Sequence, residues 1–281
     1  MDDLRDILRQ CEFNFKKQWG QNFLTDPNLL RAIVSDAGVD EKTTVLEIGA
    51  GAGALTRALS ERARKVFAYE IDRSLEPVLS RTLKDCNNVE VIFRDFAKAD
   101  MSALETELND YAVVANLPYY VTTPIVMRFV EESKHCRGLT VMVQEEVAER
   151  FCAREGTAEY GAVTAAIARR GTCSITRRVP RNMFTPRPNV DSAVVKIDFT
   201  AGGFTVKSEK AYRETVRCAF LSRRKTLENN LIGVFRIPRE RAKDVLRAAE
   251  IAEGVRGETL SPPTLAKLSD VLLENGIVQE R

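Results

Sequence analysis

From residue 44 onward, short β-rich apolar runs alternate with segments of helical period, and no other feature of the chain restricts its fold as much. The runs are TVLEI (44–48), KVFAYE (65–70), VEVIF (89–93), YAVVAN (111–116) and LTVMVQ (139–144), with ALTRALSERA and RSLEPVLSRTL among the segments between them. Alternation of this kind predicts an α/β fold, a parallel sheet with helices on both faces whose ligands lie beyond the carboxyl ends of the strands. Two further runs, TCSITRRV and SAVVKIDF, flank the Pro-rich PRNMFTPRPNVD with no helical pattern between them, so they are expected to pair antiparallel at the edge of the same sheet. The AGG at 201–203 reads as a linker. Beyond it SEKAYRETVRCAFL, PRERAKDVLRAAE and SPPTLAKLSDVLLE are helical, the last with Ser261 as N-cap and prolines in its first turn. The predicted division is therefore residues 1–200, including an N-terminal helical extension over 1–43, and a smaller helical domain over 201–281.

No apolar run approaches the ~20 residues of a membrane-spanning helix, and the acidic opening MDDLRDILRQ has no apolar h-region. The expectation is a cytoplasmic protein with no membrane partner. Six scattered cysteines without a C-x-x-C pair, and a single histidine, exclude a zinc ligand set and histidine-dependent triads unless His135 itself is the base. His135, in the polar run EESKHCRG, reads as an exposed loop residue, so the chemistry is expected to need neither metal nor imidazole. The net charge of +2 conceals an asymmetry: residues 1–158 carry 20 basic and 26 acidic side chains, residues 159–281 carry 22 and 14. Residues 160–190 hold six arginines and no acid, a candidate footprint for a polyanion such as nucleic acid.

The residues that follow the runs carry the chemistry. Gly49, Gly51 and Gly53 in VLEIGAGAGALTRAL occupy a strand-to-helix turn, where glycine admits a ligand close to the backbone. Glu70, ending the second run, is placed to accept two hydrogen bonds from a ribose. Together these fit both a dinucleotide and another adenosine-bearing cofactor. The fourth run separates the two, because Asn116-Leu117-Pro118-Tyr119 resembles the (N/D/S)-P-P-(Y/F) signature of methyltransferases that act on exocyclic amino groups of bases. An adenine N6 lone pair is delocalised into its ring; acceptors such as the Asn116 oxygen and the Leu117 carbonyl would hold the two N6 hydrogens and favour the pyramidal nitrogen of the transition state. Pro118 stiffens the turn and Tyr119 offers a ring for stacking. Asp95 in VIFRDF is a further acid after a strand, readable as a contact to the cofactor's adenine or as an N-cap.

With these motifs in order, the chain closely resembles the bacterial small-subunit ribosomal RNA adenine dimethyltransferases of the KsgA/RsmA type, over nearly its whole length. KKQWGQNFLTDPNLL resembles that family's QNFL segment, in which the positions matching Asn22 and Leu24 touch S-adenosylmethionine. The family's Gly-rich turn matches at Gly49 and Gly51, its ribose acid at Glu70, its adenine-contacting acid at Asp95 and its catalytic segment at Asn116, Leu117, Pro118 and Tyr119. FTPRPNVDSAVV matches a motif whose phenylalanine, here Phe184, faces the target base opposite the tyrosine. FLSRRKTLENNL (220–231) matches the segment that opens the C-terminal domain. Two departures stand out: Arg94 and Phe96 flank Asp95 in place of the more usual glycine and alanine, and Trp19 replaces a phenylalanine.

The resemblance implies a Rossmann-like class I methyltransferase sheet with a small all-helical C-terminal domain. It implies dimethylation of N6 on two adjacent adenines near the 3′ end of 16S ribosomal RNA, within the 30S subunit or its precursor. The methyl donor would be S-adenosylmethionine, leaving S-adenosylhomocysteine; separately, no heptad run in the sequence argues for an obligate oligomer, so a monomer is expected. Transfer from a sulfonium is an in-line displacement governed by alignment, and the methylated ammonium loses its proton to water, so no general base is required. The adenine would leave its stack to lie between Tyr119 and Phe184. Arg177, Arg178, Arg181 and Arg187, with Arg223, Arg224 and Lys225, would hold phosphates. The alternatives are a large-subunit (23S) adenine methyltransferase of the macrolide-resistance type, a ribosome-assembly or transcription factor that keeps the fold, and a nicotinamide-dependent reductase, which leaves the NLPY segment unexplained.

Overall fold

The computed structural model describes residues 4–13, 16 and 21–280; Trp19 lies outside the described residues. The chain divides into two compact units, one of Met1–Ala148 with Cys173–Thr200, the other of Glu149–Thr172 with Ala201–Arg281. The first opens with α1 (Leu4–Gln10), β1 (Phe23–Leu24) and α2 (Pro27–Ala37). Then come β2 (Thr44–Ile48), α3 (Ala54–Ser60), β3 (Lys65–Glu70), α4 (Glu76–Thr82), β4 (Val89–Phe93), α5 (Met101–Leu108), β5 (Tyr111–Asn116), α6 (Thr122–Glu132), β6 (Cys136–Gln144) and α7 (Glu145–Phe151). After α8 (Ala162–Arg170), which belongs to the second unit, β7 (Thr172–Val179), β8 (Phe184–Thr185) and β9 (Ser192–Asp198) return to the first.

Among the described residues seven strands form one sheet in the order β4-β3-β2-β5-β6-β9-β7. The five from β2 to β6 run parallel, and β9 pairs antiparallel with β6 from Gln144↔Ser192 to Gly138↔Asp198. Val45 and Leu46 of β2 are fully buried, the consequence of helices covering both faces of the sheet. Because β2 has β3 on one side and β5 on the other, successive connections leave it in opposite directions. The crevice beyond its carboxyl end is the switch point at which such sheets bind ligands. Four strands coincide with their apolar runs; β6 begins at Cys136, three residues before its run, since Arg137 keeps its guanidinium outside on Asp110 with Nε 2.7 Å from Oδ1.

The pairing of β1 with β8, Leu24 opposite Phe184, has no signature in the sequence, because two residues are too few to show a period. It nevertheless ties the QNFL segment to the Pro-rich loop. The chain enters α2 through Asp26, whose Oδ1 accepts the amides of Asn28 and Leu29 at 2.8 Å, with Pro27 at the first helical position. No helix among the described residues is long and apolar enough to cross a membrane.

The second unit packs α8 with α9 (Glu209–Phe220), α10 (Leu227–Phe235), α11 (Arg239–Ala248) and α12 (Pro262–Glu274). Ser208, Thr226 and Ser261 cap α9, α10 and α12, the last as the sequence indicates. The unit boundary departs from a single cut at residue 200, since residues 149–172 join the helices. Ala165 of α8 is fully buried in the helical core and its carbonyl accepts the Tyr212 hydroxyl at 3.0 Å; Tyr160, also buried, donates to the Leu260 carbonyl at 2.8 Å. The small side chains of AVTAAIARR carry too little apolar contrast to show in advance which core they fill.

Candidate active site

The switch-point crevice holds a cavity of about 950 Å3 including its mouth. Three strand ends and one segment from outside the sheet build its walls. After β2 the backbone turns through Gly49 (φ 81°) and Gly51 (φ 56°), with the amides of Gly49 and Ala50 both donating to the Tyr69 carbonyl. Gly51 has a second constraint besides its positive φ, for a Cβ there would stand 3.0 Å from the Phe23 ring. The turn therefore brings backbone without side chains to the cavity wall, with Phe23 packed over it at Gly51.

Glu70 closes β3 at 6% exposure, and each of its carboxylate oxygens takes one backbone amide: Oε2 from Gly51 and Oε1 from Asp72, both at 2.8 Å. Burial raises its pKa, opposed by those two amides and that of Ile71. Acceptor capacity remains on the carboxylate for a ligand's hydroxyls, as a vicinal diol requires. Asp72 ties the QNFL segment to this corner by accepting from Gln21 Nε2 at 2.9 Å and Lys16 Nζ at 2.7 Å.

Opposite, NLPY follows β5. Asn116 Nδ2 donates to the backbone carbonyl of Asn22 at 3.1 Å. A carbonyl can only accept, so the contact fixes the amide's orientation and leaves Oδ1 at the cavity wall without a hydrogen-bond partner among the described residues. Leu117 is buried with its amide on the Met142 carbonyl, while Pro118 and Tyr119 line the cavity. Thus Asn22, Leu24, Gly49, Gly51, Glu70, Asn116, Leu117, Pro118 and Tyr119 converge on one space.

Two expected residues do not line it. Asp95 acts as an N-cap, its Oδ1 accepting the Ala97 amide at 3.0 Å ahead of a short 3-10 turn. Phe184 is 4% exposed in the hydrophobic core beside Leu24, so in this structure its ring supports the β1–β8 pair instead of facing the cavity. Phe96 has a packing role: it stacks on Phe129, meets Tyr69 edge-on, and its carbonyl accepts from Arg128. Arg94 is exposed with no side-chain partner among the described residues.

The sequence reading passed over Glu47, Asp72 and Tyr120. Glu47 lies inside β2, lines the cavity at 1% exposure, and its Oε2 has no hydrogen-bond partner among the described residues. Burial pushes its carboxyl up to about 8, against the pull of the Thr56 hydroxyl and with the charge of Glu70 adding to the rise. The signal was available, because a lone acid in an otherwise apolar central strand is costly unless used. Tyr120, 59% exposed at the cavity, feels the charges of both Asp95 and Glu70.

The cations divide into two groups. Arg177 donates from Nη2 to Asp36 Oδ1 at 2.9 Å within an ion pair, Arg178 pairs with Glu145, and Arg181 donates to the Asn189 carbonyl at 2.7 Å beside Asp191. Arg223 donates to the carbonyls of Ala158 (2.6 Å) and Tyr160 (3.0 Å) and to Glu258 Oε2 (2.7 Å). These four have partners inside the protein, so a phosphate would have to share or displace those contacts. Arg187, Arg224 and Lys225 are exposed and have no side-chain partner among the described residues. Arg223→Ala should therefore cost about 2–3 kcal/mol in urea unfolding, the half-exposed side chain moderating the loss of three charge-assisted bonds. Alanine at Arg224 and Lys225 should stay within about 0.5 kcal/mol of wild type. Equal stability of all three variants would return Arg223 to the surface charges.

A parallel sheet extended by an antiparallel strand, with a glycine turn, a post-strand acid and a cavity at the switch point, defines a class I methyltransferase. A family model described as Ribosomal RNA adenine dimethylase matches residues 12–268, and the chain belongs to that family. It is 44% identical over 278 residues to the ribosomal RNA small subunit methyltransferase A of Geobacillus thermodenitrificans, covering 96% of this chain and 94% of the relative. Among solved structures it resembles a dimethyladenosine transferase from Plasmodium falciparum (25% identity, TM-score 0.75, 88% of this chain and 95% of that one). It also resembles the 23S rRNA methyltransferase ErmE (28% identity, TM-score 0.69, 89% and 99%).

Proposed function

We propose that this methyltransferase dimethylates N6 of two adjacent adenines in small-subunit ribosomal RNA with S-adenosylmethionine as donor, as a cytoplasmic monomer acting on the 30S subunit or its precursor. The observation that carries the reading is the Asn116 amide, locked by the Asn22 carbonyl with Oδ1 left open in the same cavity as the Glu70 carboxylate and the glycine floor.

The cavity suits the donor. The Glu70 carboxylate can accept from a ribose diol, Gly49 brings side-chain-free backbone to the cavity, and Glu47 Oε2, without a hydrogen-bond partner among the described residues, can face a cationic group. S-adenosylmethionine, when bound, supplies an electrophilic methyl on sulfur. The chain's own residues do the rest: Asn116 Oδ1 and the Leu117 carbonyl accept the N6 hydrogens, which favours the pyramidal nitrogen, and Tyr119 gives the extruded base a stacking face. Asp95, beside the exposed Arg94, is assigned to the donor's adenine end; Phe184 supports the loop on the far side of the base. Phosphate binding falls to Arg187, Arg224 and Lys225.

The small-subunit substrate is favoured over the large-subunit one by 44% identity to a small-subunit enzyme against 28% to ErmE. Labelled donor incubated with unmethylated small subunits, large subunits or naked ribosomal RNA decides the matter; label entering large subunits alone would reverse the assignment. Glu70→Ala should weaken S-adenosylhomocysteine binding by about tenfold or more, for two lost charge-assisted bonds, with little change in RNA affinity. Calorimetry that finds the affinity unchanged would reduce Glu70 to a strand terminus.

A further inference from the structure

We propose that Ser192 is a positioning residue for methyl transfer, holding the Tyr119 ring in place through the 2.7 Å hydrogen bond between its Oγ and the phenolic oxygen. The inference rests on the reading of Tyr119 as the stacking face for the target base. Ser192 is fully buried and opens β9, in register with Gln144 at the end of β6. The backbone just before it is pinned as well: the Asp191 carbonyl accepts the Glu145 amide at 3.1 Å, and Asp191 Oδ1 accepts the Arg181 amide at 2.9 Å. A buried hydroxyl needs a partner, and the side chain of Ser192 has Tyr119 and no other among the described residues.

The two ends of this bond differ in kind. Ser192 is fixed by the sheet, whereas Tyr119 stands in the short 3-10 turn after Pro118 and lines the cavity. A ring anchored only at its backbone keeps two side-chain torsions, and a planar base stacked on it would share their spread. Fixing the far end of the phenol removes that freedom before the base arrives, so the bond acts on alignment in the transition state and not on the donor's subsite. Burial raises the Tyr119 hydroxyl above its ordinary value, which keeps it a neutral phenol able to share a proton with Ser192. The bond also gives the FTPRPNVDSAVV and NLPY segments, far apart in the chain, a direct mechanical link.

The test is a double-mutant cycle on single-turnover methylation of unmethylated small ribosomal subunits at saturating donor, with S-adenosylhomocysteine affinity measured alongside. Ser192→Ala and Tyr119→Phe should each slow the reaction by about three- to tenfold, the worth of one neutral hydrogen bond, and the double variant should be no slower than either. Cofactor affinity should be unchanged in all three. Wild-type rates in Ser192→Ala or Tyr119→Phe, or effects that multiply in the double variant, would overturn the proposal. Should Ser192→Ala fail to bind cofactor because it misfolds, Tyr119→Phe alone decides. Tyr119→Ala separates the two levels: full activity there removes the stacking role itself, while a large loss beside a normal Tyr119→Phe removes only the part assigned to Ser192.

Discussion

Asn116→Ala should lower turnover by roughly 10²- to 10³-fold while S-adenosylhomocysteine affinity stays within about twofold of wild type. The asymmetry follows from where the two ends of the amide are used. Nδ2 holds the Asn22 carbonyl, in a segment that the β1–β8 pair also anchors; Oδ1 has no hydrogen-bond partner among the described residues and gains its full value only as N6 becomes pyramidal and its hydrogens more acidic. Asn116→Asp provides a control that a purely steric account would not foresee. It keeps an acceptor for the base, but sets a carboxylate oxygen against the Asn22 carbonyl, so it should remain impaired despite its similar shape. Single-turnover rates with saturating donor, paired with calorimetric affinities, separate the two effects. Near-normal turnover in Asn116→Ala would withdraw the catalytic assignment.

The sheet was legible in the sequence because TVLEI, KVFAYE, VEVIF and YAVVAN are each mostly β-branched, aromatic or otherwise apolar, with few polar members, and are followed or closed by special residues. The site was legible for a related reason: its glycines, Glu70 and NLPY all stand at strand ends, where the fold must place ligands. What escaped depends on tertiary contact. The β1–β8 pair is two residues long, and its Phe23 packs over Gly51, a neighbour 28 positions away in the chain. Arg223 sits in an RRK run that reads as one basic patch, yet only its two companions are open, since nothing local announces the carbonyls of Ala158 and Tyr160. Phe184 precedes a Pro-rich loop, and the resemblance implies a ring facing the target base, yet beside its cross-strand partner Leu24 it is buried.

Glu47→Gln should leave stability at pH 5 near that of wild type and raise it progressively above that, by up to about 5 kcal/mol at pH 9. The sign follows from a carboxyl whose ordinary value of 4.5 is lifted to about 8 by burial in the folded chain. Below pH 4.5 both folded and unfolded forms carry the proton and nothing is lost. Between 4.5 and 8 the unfolded chain releases it and the folded one does not, so stability declines by about 1.4 kcal/mol per pH unit, and above 8 the loss is complete. Glutamine is a neutral substitute of the same shape, so the difference between the two proteins isolates this one group from every other titration. Urea unfolding of both at pH 5, 7 and 9 measures it, and a gap that does not widen with pH would mean that the carboxyl is ionised in the folded state. The same burial predicts a linkage to the ligand. A cationic ammonium seated in the cavity favours the ionised carboxylate, so binding of S-adenosylhomocysteine at pH 7 should release a proton in the wild type and none in Glu47→Gln, read from calorimetry in buffers of different ionisation enthalpy.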